Sequence, residues 1–239
     1  MKIVISQPMY FPWVGMFEQI RLCDMYVHYD DVQFSKGSFT NRVQIKTRDG
    51  SKWLTVPLDG IKLGQEIREV RLKDCHKWQE SHLNILKQVY AKAPYQKEML
   101  DLVSSVFSQP ATTISDLSIN SISAICKYFD IAKPDNFLYS SKIGLMGKSS
   151  ERVLDIVKHL DGSIYITGHG AKKYLDHFLF DSSNVNVEYM NYRKHIYPQL
   201  HGEFTPYVST LDLIANVGKR GREFINSETI NWKKMIEQT

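Results

Sequence analysis

The chain opens with KIVISQPMYFPWVG, residues 2–15, and this segment decides the fold. Residues 2–6 form an apolar, β-branched run that predicts a buried strand. Pro8, Pro12 and Gly15 follow, so the chain leaves the strand through a rigid, non-helical turn. An amphipathic helix is expected over residues 17–22 and a second strand over residues 25–29. The opening therefore predicts a βαβ unit.

Polar residues gather where the two strands of this unit end. Gln7 follows the first strand, and Asp30, Asp31 and Gln33 follow the second. Open α/β sheets bind ligands beyond the carboxyl ends of their strands, so these residues are expected to face one site. Adjacent carboxylates are costly to bury without a partner, which favours a functional role for the polar set.

The aromatic residues of the turn have two interpretations. Tyr10 and Phe11 either plug the top of the sheet or line the site and bind substrate. Packing against the end of the sheet is the commoner outcome for any single aromatic residue. We keep Tyr10 and Phe11 as candidate substrate-binding residues.

A β-hairpin is predicted directly after the second strand. Residues 41–46 and 52–58 alternate around Asp49-Gly50, which is the strongest short hairpin signal. Asn41 and Arg42 begin the first hairpin strand and bring an amide and a guanidinium close in sequence to the two acids.

The rest of the chain changes pattern twice. Helices are predicted over residues 78–90, 95–107 and 114–129, with Thr113 or Ser115 capping the third, and this insertion covers the sheet or forms a dimer surface. Alternation then returns, with strands over residues 136–140, 163–167 and 184–192 and helices over residues 150–160 and 171–180. We therefore expect an α/β fold with a mostly parallel open sheet.

Two loops between strands and helices are candidate ligand contacts. Residues 144–150 lack the first glycine of a Walker motif, which argues against an NTPase, but Lys148, Ser149 and Arg152 at a helix N-terminus suit a pyrophosphate. In the second loop, Gly168 allows close backbone approach, and His169 is a candidate acid or base because a free histidine side chain changes charge near neutrality. A tight connection without a ligand is an equally good interpretation of the second loop.

Composition fits a compact enzyme that stays in the cytoplasm. With 239 residues, 43% of them hydrophobic, residues 1–239 are expected to form a single domain with the helical insertion at about 76–131. No apolar run predicts a membrane span and no signal-peptide pattern opens the chain. The net charge of +4 suits an anionic pyrophosphate and does not oppose tRNA. Three scattered cysteines, Cys23, Cys75 and Cys126, predict neither a disulfide framework nor a metal cluster.

These features together resemble the WbqC-like family, whose genes lie mainly in bacterial O-antigen and other surface-polysaccharide clusters. The resemblance covers nearly the whole chain and rests on Gln7-Pro8, Tyr10-Phe11-Pro12-Trp13, Gly15, Asp30-Asp31-Val32-Gln33-Phe34, Asn41-Arg42, Trp53-Leu54-Thr55-Val56-Pro57, Lys148-Ser149 with Arg152, and residues 165–168, 170–175, 197–199 and 209–218. His28 and His169 stand where apolar or small residues are expected.

The resemblance implies a cytoplasmic bacterial enzyme that acts on a nucleotide-linked sugar before the sugar enters a glycan. Within that class we expect acylation of a sugar amine, by a glycyl or similar aminoacyl group. The activated donor is either ATP plus an amino acid or an aminoacyl-tRNA, and no cofactor or metal is firmly implied.

Acyl transfer requires a deprotonated amine, a positioned carbonyl and a stabilised oxyanion. Asp30 or Asp31 is expected to take the proton from the amine, and Arg42, with Asn41 and Gln7, to hold sugar hydroxyls or the acyl carbonyl. Two acids also suit Mg²⁺ beside a triphosphate, so a nucleotidyltransferase related to the HIGH-type enzymes is an alternative. A non-catalytic protein that binds sugar nucleotides is a third interpretation.

Overall fold

The computed structural model describes residues 1–132 and 134–237 and, within these ranges, every side chain except those of Cys75, Pro134 and Ile236. The prediction for Cys75 therefore lies outside the described side chains, whereas Cys23 and Cys126 are free thiols. No helix in the described ranges is long and apolar enough to cross a membrane.

Strands and helices alternate over much of the chain. The strands are β1 (Lys2–Ser6), β2 (Met25–His28), β3 (Arg42–Thr47), β4 (Gly50–Thr55), β5 (Leu58–Asp59), β6 (Arg71–Leu72), β7 (Phe137–Tyr139), β8 (Ile164–Thr167), β9 (Asn186–Asn191) and β10 (Glu228–Asn231). The α-helices are α1 (Val14–Leu22), α2 (Cys75–Val89), α3 (Gln96–Phe107), α4 (Ile114–Phe129), α5 (Ser140–Ile143), α6 (Ser149–His159), α7 (His177–Ser182), α8 (Thr210–Val217) and α9 (Trp232–Glu237). Within the described residues, 3₁₀ segments lie at Ile67–Glu69, Pro134–Asn136, His169–Lys173 and Gly218–Phe224.

The central sheet has six strands in the order β10-β9-β8-β1-β2-β7. Strand β1 pairs in parallel with β2 and with β8, β2 pairs in parallel with β7 and β8 with β9, whereas β10, at one edge of the sheet, pairs antiparallel with β9. The predicted mostly parallel α/β sheet is therefore confirmed.

Both faces of this sheet are buried, which explains the unbroken apolar run of β1. Val4 packs on one face with helices α1, α3, α4 and α8. Ile3 and Ile5 pack on the other face with helices α6 and α7 and with residues of α9. The result is three layers, with the sheet between two groups of helices.

The hairpin and the helical insertion are also confirmed. Strands β3 and β4 pair antiparallel from Arg42 opposite Thr55 to Thr47 opposite Gly50, around the predicted turn. Helix α4 begins at a capping box in which Thr113 accepts from the backbone N–H of Asp116, so Thr113 is the cap and Ser115 is not.

The predicted helix over residues 171–180 is wrong. The chain forms a 3₁₀ segment at His169–Lys173 and then a separate helix, α7. The Asp176 carboxylate accepts from the backbone N–H of Leu179 and starts α7, because a cap of this kind competes with a continuing helix. Strand β10 and helices α8 and α9 were not predicted.

Candidate functional site

A cavity of about 570 Å³ opens at the carboxyl ends of β1 and β8. Strand β1 leads through α1 to β2 on one side, whereas β8 lies on its other side and follows α6. The strand order therefore reverses between β1 and β8, which is the point where open α/β sheets bind ligands. Gln7, Gly168 and His169, all predicted site residues, line this cavity together.

Tryptophan and tyrosine rings line much of this cavity. The Trp13 ring lies 4.8 Å from the Tyr192 ring and 5.4 Å from the Tyr207 ring, measured between centroids. Tyr29, Tyr165 and Tyr174 complete the aromatic lining. Such walls suit a flat ring or the apolar face of a sugar.

The proline-containing turn holds Trp13 in this position. Phe11 has a φ of 40°, which is unusual for a residue other than glycine, and its backbone N–H and C=O are fixed by Ser121 Oγ and Ser209 Oγ. Trp13 folds over the start of α1, where a Cβ on Gly15 would lie 2.3 Å from the indole ring. Gly15 is therefore required for the tryptophan to form the wall.

His169 has a defined tautomer. Its Nε2 lies 2.6 Å from the carbonyl oxygen of Met190, and because a carbonyl only accepts, Nε2 carries a hydrogen. Its Nδ1 has no hydrogen-bond partner within residues 1–132 and 134–237. In the neutral imidazole this nitrogen holds a free lone pair, so His169 is oriented as a base at the cavity.

Tyr192 presents a hydroxyl next to Gly168. The hydroxyl accepts a hydrogen bond of 2.8 Å from Gln19 Nε2, which leaves its own proton available to donate. Burial raises the pKa of Tyr192 above its ordinary value, so the hydroxyl stays protonated. A Cβ on residue 168 would lie 3.2 Å from this oxygen, so glycine keeps the space around it open.

The two predicted acids lie elsewhere along the same edge, where β2 and β7 end. Asp30 accepts from the backbone N–H and hydroxyl of Ser141 at 3.0 and 2.7 Å and from the hydroxyl of Ser140 at 3.1 Å. Asp30 is only 4% exposed. Asp31 lies 2.5 Å from the Ser140 hydroxyl and forms an ion pair of 2.6 Å with Arg152. Protein donors therefore contact both oxygens of each carboxylate, and the single hydroxyl proton of Ser140 is shared between the two acids.

Electrostatics in this acidic cluster agree with its geometry. Burial pushes the pKa of Asp31 upward, but hydrogen bonds from Arg152 and Ser140 outweigh it and hold the pKa below its usual value. The Arg152 side chain also donates through Nε to the Leu145 carbonyl and lies over the Tyr29 ring at 5.1 Å. The cluster thus fixes one aromatic wall of the cavity.

Tyr10 and Phe11, predicted to bind substrate, are instead core residues, each 1% exposed. The Tyr10 hydroxyl lies 3.0 Å from His82 Nδ1, on the helical side of the sheet. Asn41 is buried and donates to the Val56 carbonyl. The structure does not bring these three side chains to the cavity, because the turn directs Tyr10 and Phe11 into the core and Asn41 is held by the Val56 carbonyl.

The other predicted residues also lie outside the cavity lining. Gln33 is exposed and forms an isolated bridge with Glu66. Arg42 stacks on Trp53 of the hairpin. Lys148 and Ser149 are exposed at the start of α6, one turn before the paired Arg152.

Several cavity residues were not among the predicted site residues: Trp13, Gln19, Tyr29, Tyr165, Tyr174, Tyr192, Lys194 and Tyr207. Tyr29 and Tyr192 directly follow β2 and β9, so the same strand-end rule could have identified them. Tyr207 lies far along the chain and carries no comparable signal. In the described ranges, no group of three or more His, Cys, Asp or Glu residues is placed to hold a metal ion.

Comparisons with known proteins bear on the identity of the chain. The model of the WbqC-like protein family matches residues 7–224. The uncharacterized protein Rv1507c of Mycobacterium tuberculosis is 32% identical over 227 residues, which cover 94% of this chain and 97% of that protein. No solved structure matches the chain significantly. This chain therefore belongs to the WbqC-like protein family.

Proposed function

We propose that this protein is a transferase of bacterial surface-polysaccharide biosynthesis that acylates the amine of a nucleotide-linked sugar with a glycyl or similar aminoacyl group. The observation that carries the proposal is His169, which has one ring nitrogen held by the Met190 carbonyl and the other free at an aromatic cavity.

Substrate recognition is assigned to the cavity walls. A nucleotide base stacks favourably on tyrosine and tryptophan rings, and here the Tyr192 and Tyr207 rings lie 4.8 and 5.4 Å from the Trp13 ring. The Lys194 ammonium lies 5.0 Å over the Tyr207 ring and supplies positive charge for a pyrophosphate. A nucleotide sugar presents both of these groups.

Amide formation then needs a base and an oxyanion donor. The neutral sugar amine attacks the carbonyl carbon of the activated acyl group, and an N–C bond forms while the carbonyl oxygen becomes negative. His169 Nδ1 accepts the proton that the amine loses. The Tyr192 hydroxyl donates to the developing oxyanion, since Gln19 already occupies its acceptor side.

Collapse of the tetrahedral intermediate completes the acyl transfer. The bond between the acyl carbon and the oxygen of the leaving group breaks, and protonated His169 returns its proton to that oxygen. The same step serves an aminoacyl ester of tRNA and an acyl adenylate, since both leave through oxygen.

Asp31 and Arg152 act indirectly in this scheme. Their ion pair is buried, and the guanidinium lies over Tyr29. We assign the pair to positioning the Tyr29 wall and not to proton transfer.

Mass spectrometry of the sugar product tests the proposal. A nucleotide-linked amino sugar is incubated with the protein and glycine plus ATP, or with glycyl-tRNA. A product heavier by one glycyl group is expected with wild-type protein and not with His169→Ala, while Arg220→Ala, which changes a side chain that is 78% exposed, should match the wild type. Tight sugar-nucleotide binding without a product from either donor would contradict the proposal and favour a binding protein.

A further inference from the structure

The guanidinium group of Arg42 has no acidic partner among the described residues. It lies 4.1 Å over the Trp53 ring, and none of its N–H groups has a hydrogen-bond or ion-pair partner in the part of the chain that the structure describes. The Nε atom is buried, so water does not satisfy it there. The two terminal nitrogens are not buried and are equally unpaired within the described ranges, and since an arginine fork matches phosphate oxygens, these free donors point to a bound phosphate.

Aromatic surface lies beside this guanidinium. The Phe39 and Trp53 rings are 5.6 Å apart, and Phe39 is 46% exposed. Stacking of arginine on tryptophan together with an exposed phenylalanine gives a surface on which unpaired bases can stack.

Positive charge is concentrated on the same segment. Between residues 32 and 58 the chain has one acid, Asp49, and five basic residues, which are Lys36, Arg42, Lys46, Arg48 and Lys52. This short segment thus holds a net charge equal to that of the whole chain, +4. Lys46 is buried and donates to Gln199, Gly202 and Glu203, so the other four side chains supply the surface charge.

The hairpin surface is joined to the cavity through backbone pairing. Gln44 lies opposite Trp53 in the hairpin, and its carbonyl accepts from the backbone N–H of Ser209. Ser209 forms a bridge with Trp13, which lines the cavity. A ligand on the hairpin and a substrate in the cavity therefore contact neighbouring parts of one framework.

We propose that Phe39, Arg42 and Trp53 bind the single-stranded 3′ end of an RNA, and that Lys36, Arg48 and Lys52 add positive charge along the same segment. Arg42, Arg48 and Lys52 are spread along a hairpin of two six-residue strands, roughly 20 Å long, which suits several successive phosphates better than one free nucleotide. We identify this RNA with the aminoacyl-tRNA donor, and this identification rests on the proposed function.

Fluorescence anisotropy with a fluorescein-labelled, short single-stranded RNA ending in CCA tests the surface without any turnover. Phe39→Ala and Arg42→Ala should each weaken binding by about tenfold or more, since each removes a stacking or phosphate contact. Arg42→Lys, which keeps the charge but loses the fork, should weaken binding nearly as much. Arg220→Ala is the matched control and should bind as the wild type does.

Two outcomes would overturn the surface assignment. One is equal RNA binding by Phe39→Ala, Arg42→Ala and Arg220→Ala. The other is displacement of the labelled RNA by ATP at a concentration similar to that of the RNA, together with an equal loss of ATP binding in Arg42→Ala. This result would identify the ligand as a free nucleotide. Anisotropy measures RNA binding alone, so its result is separate from that of the proposed function. RNA binding can be absent while acyl transfer from ATP and glycine still occurs, and it can be present when no acyl transfer occurs.

Discussion

The cavity between β1 and β8 and the acidic cluster between β2 and β7 lie at the same edge of one sheet, yet they differ in what their polar groups do. In the cluster, Asp30 and Asp31 are paired with serine hydroxyls, a backbone N–H and Arg152. In the cavity, His169 keeps a free nitrogen and Tyr192 a free proton. The two regions therefore differ in whether their polar groups remain unpaired, and we assign function to the region where they do.

The largest effect is expected on the cavity side. His169→Ala should lower turnover by about 10²–10⁴-fold, the usual contribution of a general base, because the sugar amine loses its proton acceptor. Thermal unfolding should change little, since the side chain is exposed. Steady-state kinetics and a melting curve on the same sample separate these effects, and an unfolded His169→Ala protein would make His169 a structural residue.

Asp31→Ala probes the cluster side of the comparison. The change leaves the Arg152 guanidinium buried without its ion pair, which costs about 3–5 kcal/mol of unfolding free energy. Denaturant unfolding should show this loss. Glu66→Ala, which removes an exposed partner of Arg68, is the control and should cost less than about 1 kcal/mol. A stable but inactive Asp31→Ala protein would instead identify Asp31 as the general base.

Tyr192→Phe sharpens the assignment within the cavity. Loss of one oxyanion donor typically lowers kcat by about 10²–10³-fold with little change in binding. The ring remains and can still stack on Trp13, so KM should change much less than kcat. A rise in KM with kcat unchanged would instead place Tyr192 in substrate binding.

His28, the last residue of β2, gives a pH test on the cluster side. Burial lowers the pKa of His28 to about 4, whereas an unfolded histidine titrates near 6.5. The unfolded state therefore binds a proton first as pH falls, and stability should decrease between about pH 6.5 and pH 4, by up to about 3 kcal/mol from this residue.

His82, whose pKa burial also lowers to about 4, adds to the same trend. His28→Phe should remove part of the slope, because it replaces an imidazole that is packed against Phe137 and whose nitrogens have no described partner. Chemical denaturation at several pH values measures the slope, and an unchanged slope in His28→Phe would contradict the assignment.

The sequence predicted those features that depend on local pattern. The apolar run of β1 and the hairpin around Asp49-Gly50 each have a signature within a few residues, and both elements were confirmed, with Arg48 and Asp49 as the two turn residues and Gly50 beginning β4. Strand β10 was missed because Glu228, Thr229 and Asn231 make it polar, and its pairing with β9 depends on a contact that local sequence does not reveal.

Site geometry depended on partners that local pattern does not reveal. Asp31 pairs with Arg152, which lies 121 residues away in the sequence, so its pairing could not be predicted. The partner of His169 is a backbone carbonyl, which every residue has, and only the fold selects that of Met190. Gln7, Gly168 and His169 could be predicted to share a site because each follows a parallel strand.

A crystal structure with a bound nucleotide-linked amino sugar tests the central claim most directly. We predict that the base and sugar lie among Trp13, Tyr192 and Tyr207, with the amine within hydrogen-bond distance of His169 Nδ1. A sugar amine bound instead to the carboxylates of Asp30 and Asp31, with the Arg152 ion pair opened, would contradict the account.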